Sequence, residues 1–169
     1  NTALASILQP LIGYYSDRVS MPRSIAVGII ITGCSIASMG FVTSFVGLLI
    51  ASTMAGVGSA IFHPEGAKLV NRLGGDKKGK AMGTFAVGGS AGFALGPILA
   101  GICAYYIGPH GLAIFAILGL LMGALFVVLM PKILAHAATI EQKRIQKGTI
   151  SATAQNDWGS FGRLSVVIF

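Results

Sequence analysis

GYYSDR, residues 13–18, followed closely by Pro22 and Arg23, is a short charged turn between two long apolar runs. The run before it, 1–12, and the run after it, 24–45, contain no Asp, Glu, Lys or Arg. Such a turn is typical of a tight loop between two membrane-spanning helices, since each span needs about 20 mostly apolar residues. The turn therefore predicts an all-α transmembrane protein.

The composition supports this class. Of the 169 residues, 54% are hydrophobic and only 10% are charged, whereas soluble domains carry about 25% charged residues. The net charge of +7 is explained by basic loops on one side of a membrane rather than by nucleic-acid binding. Cys34 and Cys103 fall inside apolar runs, which indicates buried thiols rather than a disulfide or metal pair.

The hydropathy pattern predicts a series of spans. They cover 1–15 (an incomplete span), 24–43, 44–66, 81–107 and 111–130, and Pro131-Lys132 is expected to end the last of them. A charged connector, 68–80, joins the third span to the fourth. Residues 132–160 are predicted to be a hydrophilic linker with one amphipathic helix, whose apolar positions are Ile133, Leu134, Ala137, Ile140 and Ile145. Residues 161–169 resemble the start of a further span, so we expect an internal fragment of a longer protein.

The basic residues indicate the orientation. All twelve Lys and Arg residues lie in the segments 17–23, 68–80 and 132–163, and the alternate loops around 43–44 and 108–110 contain none. Because cytoplasmic loops are enriched in Lys and Arg, we expect the three basic segments to be cytoplasmic.

The pattern Gly13-x-x-x-Asp17-Arg18 resembles the signature loop between the second and third helices of the major facilitator superfamily. Where the family pattern continues with a glycine and further basic residues, this sequence has Ser20, Met21 and Pro22. Arg23 restores a positive charge. The resemblance implies a gating motif of Gly13, Asp17, Arg18 and Arg23; the alternative is an ordinary loop with one acid and one base.

A second motif of small residues lies in the span 81–107, and its members are Gly83, Gly88, Gly92, Gly96, Pro97 and Gly101. It resembles the glycine–proline motif in the fifth helix of the antiporter branch of the same superfamily, with Ala100 in place of one glycine. Small residues four apart form a smooth face for close helix packing, and Pro97 is expected to bend the helix. The alternative is generic packing of small residues.

The resemblance covers the whole chain. It implies a twelve-helix fold, of which this chain contains helices two to six of the N-terminal half (1–131), the central cytoplasmic linker (132–160) and the start of helix seven (161–169). In that arrangement the fourth helix lines the central cavity. Helices two and five meet the other half of the transporter, and helices three and six face lipid.

The fourth helix contains the candidate substrate or proton-coupling residues Ser52, Ser59, His63 and Glu65. Ser52 stands where many proton-driven exporters of the family have an arginine. Ionisable groups within a membrane are functional candidates, so His63 and Glu65 are candidates for proton coupling or substrate contact. The alternative for both is a structural role; Glu65 could lock the inner gate through ion pairs. The sequence His63-Pro64-Glu65 lacks the spacing of an HExxH zinc site.

Four segments together resemble the fosmidomycin resistance group of the superfamily: Gln9-Pro10, Ser16-Asp17-Arg18, Phe62-His63-Pro64-Glu65 and Val87-Gly88-Gly89. The resemblance implies proton-coupled efflux of a small drug-like or organic solute by alternating access in a bacterial inner membrane. The alternatives are an uptake symporter or uniporter and, less favoured, a membrane-embedded enzyme. The expected partners are the solute, protons, the lipid bilayer and the remainder of the same transporter. We expect no enzyme activity, cofactor, metal or nucleic acid.

Overall fold

The computed structural model describes residues 23–146, which form four α-helices and two short 3-10 turns. The helices are α1 (Ser24–Met39), α2 (Phe45–Leu73), α3 (Lys78–Ile107) and α4 (Ile114–Gln146), and the 3-10 turns are Gly75–Lys77 and Pro109–Ala113. The resemblance to the family predicts that α1 to α4 correspond to its helices three to six. An all-α fold is therefore confirmed.

Helix α1 lies between α2 and α4 and contacts both through glycines. An ideal Cβ on Gly28 would lie 2.7 Å from the Gly58 carbonyl oxygen of α2, and one on Gly33 would lie 2.6 Å from the Phe115 carbonyl oxygen of α4. In lipid, where no hydrophobic force drives helices together, such close backbone packing stabilises a bundle. We expected this helix to face lipid, yet among residues 23–146 it is the central one.

Two helices extend beyond the predicted spans at the turn that joins α2 to α3. Helix α2 continues to Leu73 and α3 begins at Lys78, so the predicted connector 68–80 shrinks to a turn of four residues. The reason is that Leu69 belongs to an apolar cluster with Ile25 and Met130, and Leu73 packs against it. This packing favours continuation of α2 by about two turns beyond the predicted end.

Helix α4 does not end at Pro131-Lys132, where the last membrane span was predicted to end. Helix α4 runs through Pro131 to Gln146, so 132–146 of the predicted linker is helical. Ile133 and Leu134 pack against the same apolar cluster as Met130, which outweighs the one backbone hydrogen bond that a proline removes. Pro64 and Pro97 likewise lie inside continuous helices.

The predicted span 24–43 is a shorter helix. Helix α1 ends at Met39, and Ser44 caps the next helix by accepting a hydrogen bond from the Gly47 amide at 3.1 Å. Among residues 23–146, three segments are long and apolar enough to cross a membrane: Phe45–Leu73, Gly75–Ile107 and Pro109–Gln146. Helix α1, with 16 residues, is shorter than that.

Helix α3 has the fewest neighbours of the four. None of its residues is buried among the described part of the chain. It contacts α2 and the 3-10 turn Pro109–Ala113, and the centroid of the Phe85 ring lies 6.1 Å from that of Phe62 on α2. One long side of α3 is therefore open within residues 23–146.

Candidate functional site

His63 projects from α2 into two open cavities that share the residues Phe62, His63, Gly89 and Gly92. The first, of about 450 Å³, is also bordered by Ser59 and by residues of α1 and α4, among them Thr32, Phe115 and Met122. The second, of about 700 Å³, lies between α2 and α3 beside Phe85. Volumes in this range are those of small-molecule sites.

The walls of these cavities are mostly apolar. In the first cavity, polar groups come from His63, Ser59 and Thr32. The His63 ring packs edge-on against Phe62 with the ring centroids 5.4 Å apart, and the side chain remains exposed. An apolar surface with a few convergent polar groups suits a small, partly apolar organic solute.

Glu65 has a different environment from His63, although the two residues are neighbours on α2. It is buried, with 5% of its surface exposed, and the Lys68 ammonium donates a hydrogen bond to Glu65 Oε1 at 3.4 Å. A buried carboxylate needs such a partner because desolvation of an unpaired charge is costly. This geometry favours the structural or gating alternative for Glu65.

The four candidate residues of α2 do not share one environment in the structure. His63 and Ser59 border the first cavity together, whereas Ser52 is half-buried and borders neither of the two cavities. Glu65 borders neither and points towards Lys68 instead. The structure therefore brings two of the four candidates into one site.

The glycine–proline motif lies along α3 and contributes Gly88 and Gly92 to the cavity wall opposite His63. An ideal Cβ at any of its glycines (Gly83, Gly88, Gly92, Gly96 and Gly101) would meet no atom of the described residues within 4 Å. The motif thus makes no close helix contact with residues 23–146. It remains a prediction that its smooth face packs against another part of the transporter.

Three residues of the gating motif, Gly13, Asp17 and Arg18, lie outside the described residues. Arg23 is exposed and directly precedes α1. Its carbonyl oxygen accepts a hydrogen bond from the Val27 amide at 3.4 Å. The gating role of all four residues stays a prediction.

The sequence did not single out Thr32, which borders the first cavity from α1. Its hydroxyl donates to the Gly28 carbonyl oxygen at 2.8 Å and lies 3.5 Å from the Ala55 carbonyl oxygen of α2. Its only signal was one hydroxyl residue within the apolar run Ile29-Ile30-Ile31-Thr32-Gly33. Phe62 and Met122 were missed because large apolar residues are ordinary in any span.

The sulfur and titratable groups show no further cluster. Both thiols were predicted to be buried. Among residues 23–146, however, Cys34 on α1 is exposed and Cys103 on α3 is only half-buried. Between residues 23 and 146, no three His, Cys, Asp or Glu side chains come close enough to hold a metal ion.

These features define a multi-pass α-helical membrane protein with a mostly apolar cavity between its helices. The chain belongs to the major facilitator superfamily, whose family model matches residues 1–168. It is therefore an integral membrane protein of a family of transporters for small molecules.

Two relatives extend this comparison. The fosmidomycin resistance protein of Escherichia coli (strain K12) is 33% identical over 152 residues, which cover 90% of this chain and 36% of that protein. The uncharacterized MFS-type transporter YfnC of Bacillus subtilis (strain 168) is 29% identical over 153 residues, which cover 90% of this chain and 37% of that protein. The chain thus spans just over a third of the length of these relatives. No solved structure matches it significantly.

Proposed function

We propose that the chain is part of a proton-coupled exporter of small drug-like organic solutes that works by alternating access in a bacterial inner membrane. The observation that carries this proposal is His63, an exposed titratable side chain of α2 that borders both cavities. It lies about 27 Å along the helix axis from Phe45, near the predicted cytoplasmic end. A group there can take up a proton on one side of the membrane and release it on the other.

The likeness to a fosmidomycin resistance protein supports the class of solute and the direction of transport. The walls of the first cavity support it as well, because they are mostly apolar with two hydroxyl groups and one imidazole. An enzyme would need several convergent acid, base or metal-binding groups, whereas His63 is the one titratable side chain among the described residues that border the two cavities.

Alternating access needs a surface on which the two halves of the transporter move against each other. The open glycine face of α3 suits this role, because small residues allow close contact and sliding of a neighbouring helix. Asp17 and Arg18 belong to the proposed cytoplasmic gate at the same membrane side as the turn Gly74–Lys77.

Fosmidomycin is the first probe for this function. Cells that express the complete gene product are expected to tolerate several-fold more of this drug, or of another member of a panel of small antibiotics, than cells with an empty vector. Asp17→Asn tests the gating role: this variant is expected to lower the resistance while the amount of protein in the membrane stays the same. Unchanged resistance in Asp17→Asn would contradict the gating role, and no resistance to any drug would contradict export.

Glu65→Gln tests whether Glu65 stabilises the structure or couples protons. The variant keeps the shape but removes the buried charge that faces the half-buried Lys68, so we expect roughly 1–3 kcal/mol of lost stability because the ammonium loses its carboxylate partner. Transport per folded molecule is expected to stay coupled to the proton gradient. Thermal unfolding in detergent and drug-driven proton flux measure the two effects separately. Complete loss of proton flux with unchanged stability would assign the coupling role to Glu65 instead.

A further inference from the structure

The part of α4 beyond Pro131 presents one continuous stripe to the rest of the protein. Ile133, Ala137, Ile140 and Arg144 are spaced by four, three and four residues, so they share one face of the helix. Ala137 is buried and the other three are half-buried, whereas the residues between them are exposed, apart from the half-buried Leu134. A helix that simply extended into water would not cover one of its faces in this way.

Near the membrane the stripe contacts the end of α2. Ile133 and Leu134 pack against the cluster of Ile25, Leu69 and Met130, together with Leu73 from the last turn of α2. The first turn of the extension is therefore held by apolar contacts with two other helices.

Farther from the membrane the stripe contacts the turn between α2 and α3. Gly75 is buried in this turn with φ of 53°, and an ideal Cβ on it would lie 3.1 Å from Ile140 Cγ2. Glycine is favoured here for two independent reasons, the left-handed backbone and the approach of Ile140. One turn on, Arg144 Nε donates a hydrogen bond to Asp76 Oδ1 at 3.1 Å.

The ion pair fixes the position of the extension along the turn. The Arg144 side chain is only 18% exposed although Asp76 is 60% exposed, so the guanidinium is partly covered. Exposed ion pairs contribute little to stability by themselves, and the apolar stripe must therefore provide most of the attachment. The pair adds specificity, because residues 68–80 carry five Lys and Arg residues and Asp76 is their single acidic residue.

We propose that residues 132–146 are a clamp that joins the turn Gly74–Lys77 to α4, so that the cytoplasmic ends of α2, α3 and α4 move as one body. The transport part of this statement rests on the proposed function; the clamp itself does not. Residues 132–146 would then belong to the moving half of the transporter, and the connection to its other half would begin after Gln146.

The test is cross-linking in membrane vesicles that contain the complete gene product with Cys34→Ser and Cys103→Ala. One protein carries Asp76→Cys and Arg144→Cys; the matched control carries Asp76→Cys and Gln142→Cys, because Gln142 is exposed on the other side of the same helix. A short, cleavable bis-maleimide is added, and the linked peptides are quantified by mass spectrometry. Cross-linking of each of the two proteins in its vesicles is measured with and without an imposed pH gradient.

The clamp predicts at least ten-fold more cross-linking of 76 to 144 than of 76 to 142, in the same ratio with and without the gradient. Equal yields for the two pairs would overturn the clamp. A yield for 76–144 that falls several-fold in one condition would show that the contact opens, which contradicts movement as one body.

Drug transport by the cross-linked vesicles separates the two proposals. The one-body movement predicts that the 76–144 link leaves the transport rate within two-fold of the unlinked protein. A block that is relieved when the link is cleaved would contradict it. A protein that forms the link selectively but transports nothing, linked or not, would overturn the proposed function and leave the clamp standing.

Discussion

Gly33→Leu is expected to lower the amount of folded protein in the membrane by more than ten-fold. An ideal Cβ on Gly33 would lie 2.6 Å from the Phe115 carbonyl oxygen and 2.9 Å from Gly119 Cα. Both atoms belong to the backbone of α4, so no side-chain rotation can relieve the clash. Overpacking of a close contact costs about 1–3 kcal/mol, and contact with rigid backbone lies at the upper end of that range.

Cys34→Leu is the matched control, because Cys34 is the next residue on α1 and its side chain is exposed. This variant places the same leucine side chain one residue further along α1, on an exposed position, and is expected to fold normally. The amount and dispersity of both proteins are measured by fluorescence-detected size-exclusion chromatography in detergent. Equal yields from the two variants would mean that α1 and α4 do not meet at Gly33 and Gly119.

His63→Asn is expected to lower proton-driven drug efflux at least ten-fold while exchange of drug across the membrane without a gradient continues. Asparagine is polar and fits the space beside Phe62, but it cannot bind a proton at physiological pH. The expected result therefore separates proton coupling from solute binding. Efflux driven by the gradient and counterflow are measured on the same vesicles with fosmidomycin as probe.

The two other histidines of the chain serve as controls for this experiment. His110 lies in the 3-10 turn Pro109–Ala113 with its ring 5.0 Å from that of Phe41, and His136 is exposed on the extension of α4. Neither borders the two cavities. His110→Asn and His136→Asn are expected to keep proton-driven efflux; a similar loss in either of them, or none in His63→Asn, would contradict the role of His63.

The membrane class and the order of the helices could be predicted from the sequence because they depend on the length and spacing of apolar runs. The helix ends could not. The charge of Lys68 and Arg72 indicated a connector, yet Leu69 and Leu73 continue the apolar face of α2 for about two further turns. Local composition does not show that a neighbouring helix will cover those two leucines.

The extension of α4 shows the same limit. The helical spacing of apolar residues predicted an amphipathic helix, and Ile133, Leu134, Ala137 and Ile140 are all at least half-buried. Ile145 is 53% exposed, and Arg144 takes the covered position instead. An arginine joins the stripe because Asp76, far away in sequence, lies opposite to it, and only the fold reveals such a pairing.

The candidate site was predictable only in part. His63 and Ser59 stood out as polar groups in an apolar span, and the structure places them on one cavity. The different environments of His63 and Glu65 were not predictable, because two residues along a helix point in directions about 200° apart. Which of the two is covered depends on the neighbouring helices.

Proton movement that accompanies drug transport tests the proposed function most directly. Inverted membrane vesicles with the complete gene product are energised so that their interior becomes acidic, and the interior pH is followed with a fluorescent amine. Addition of fosmidomycin is expected to release protons from the vesicles rapidly, with a much smaller release for His63→Asn and none in vesicles without the protein. No proton release with fosmidomycin or any drug to which the protein gives resistance would contradict proton-coupled export.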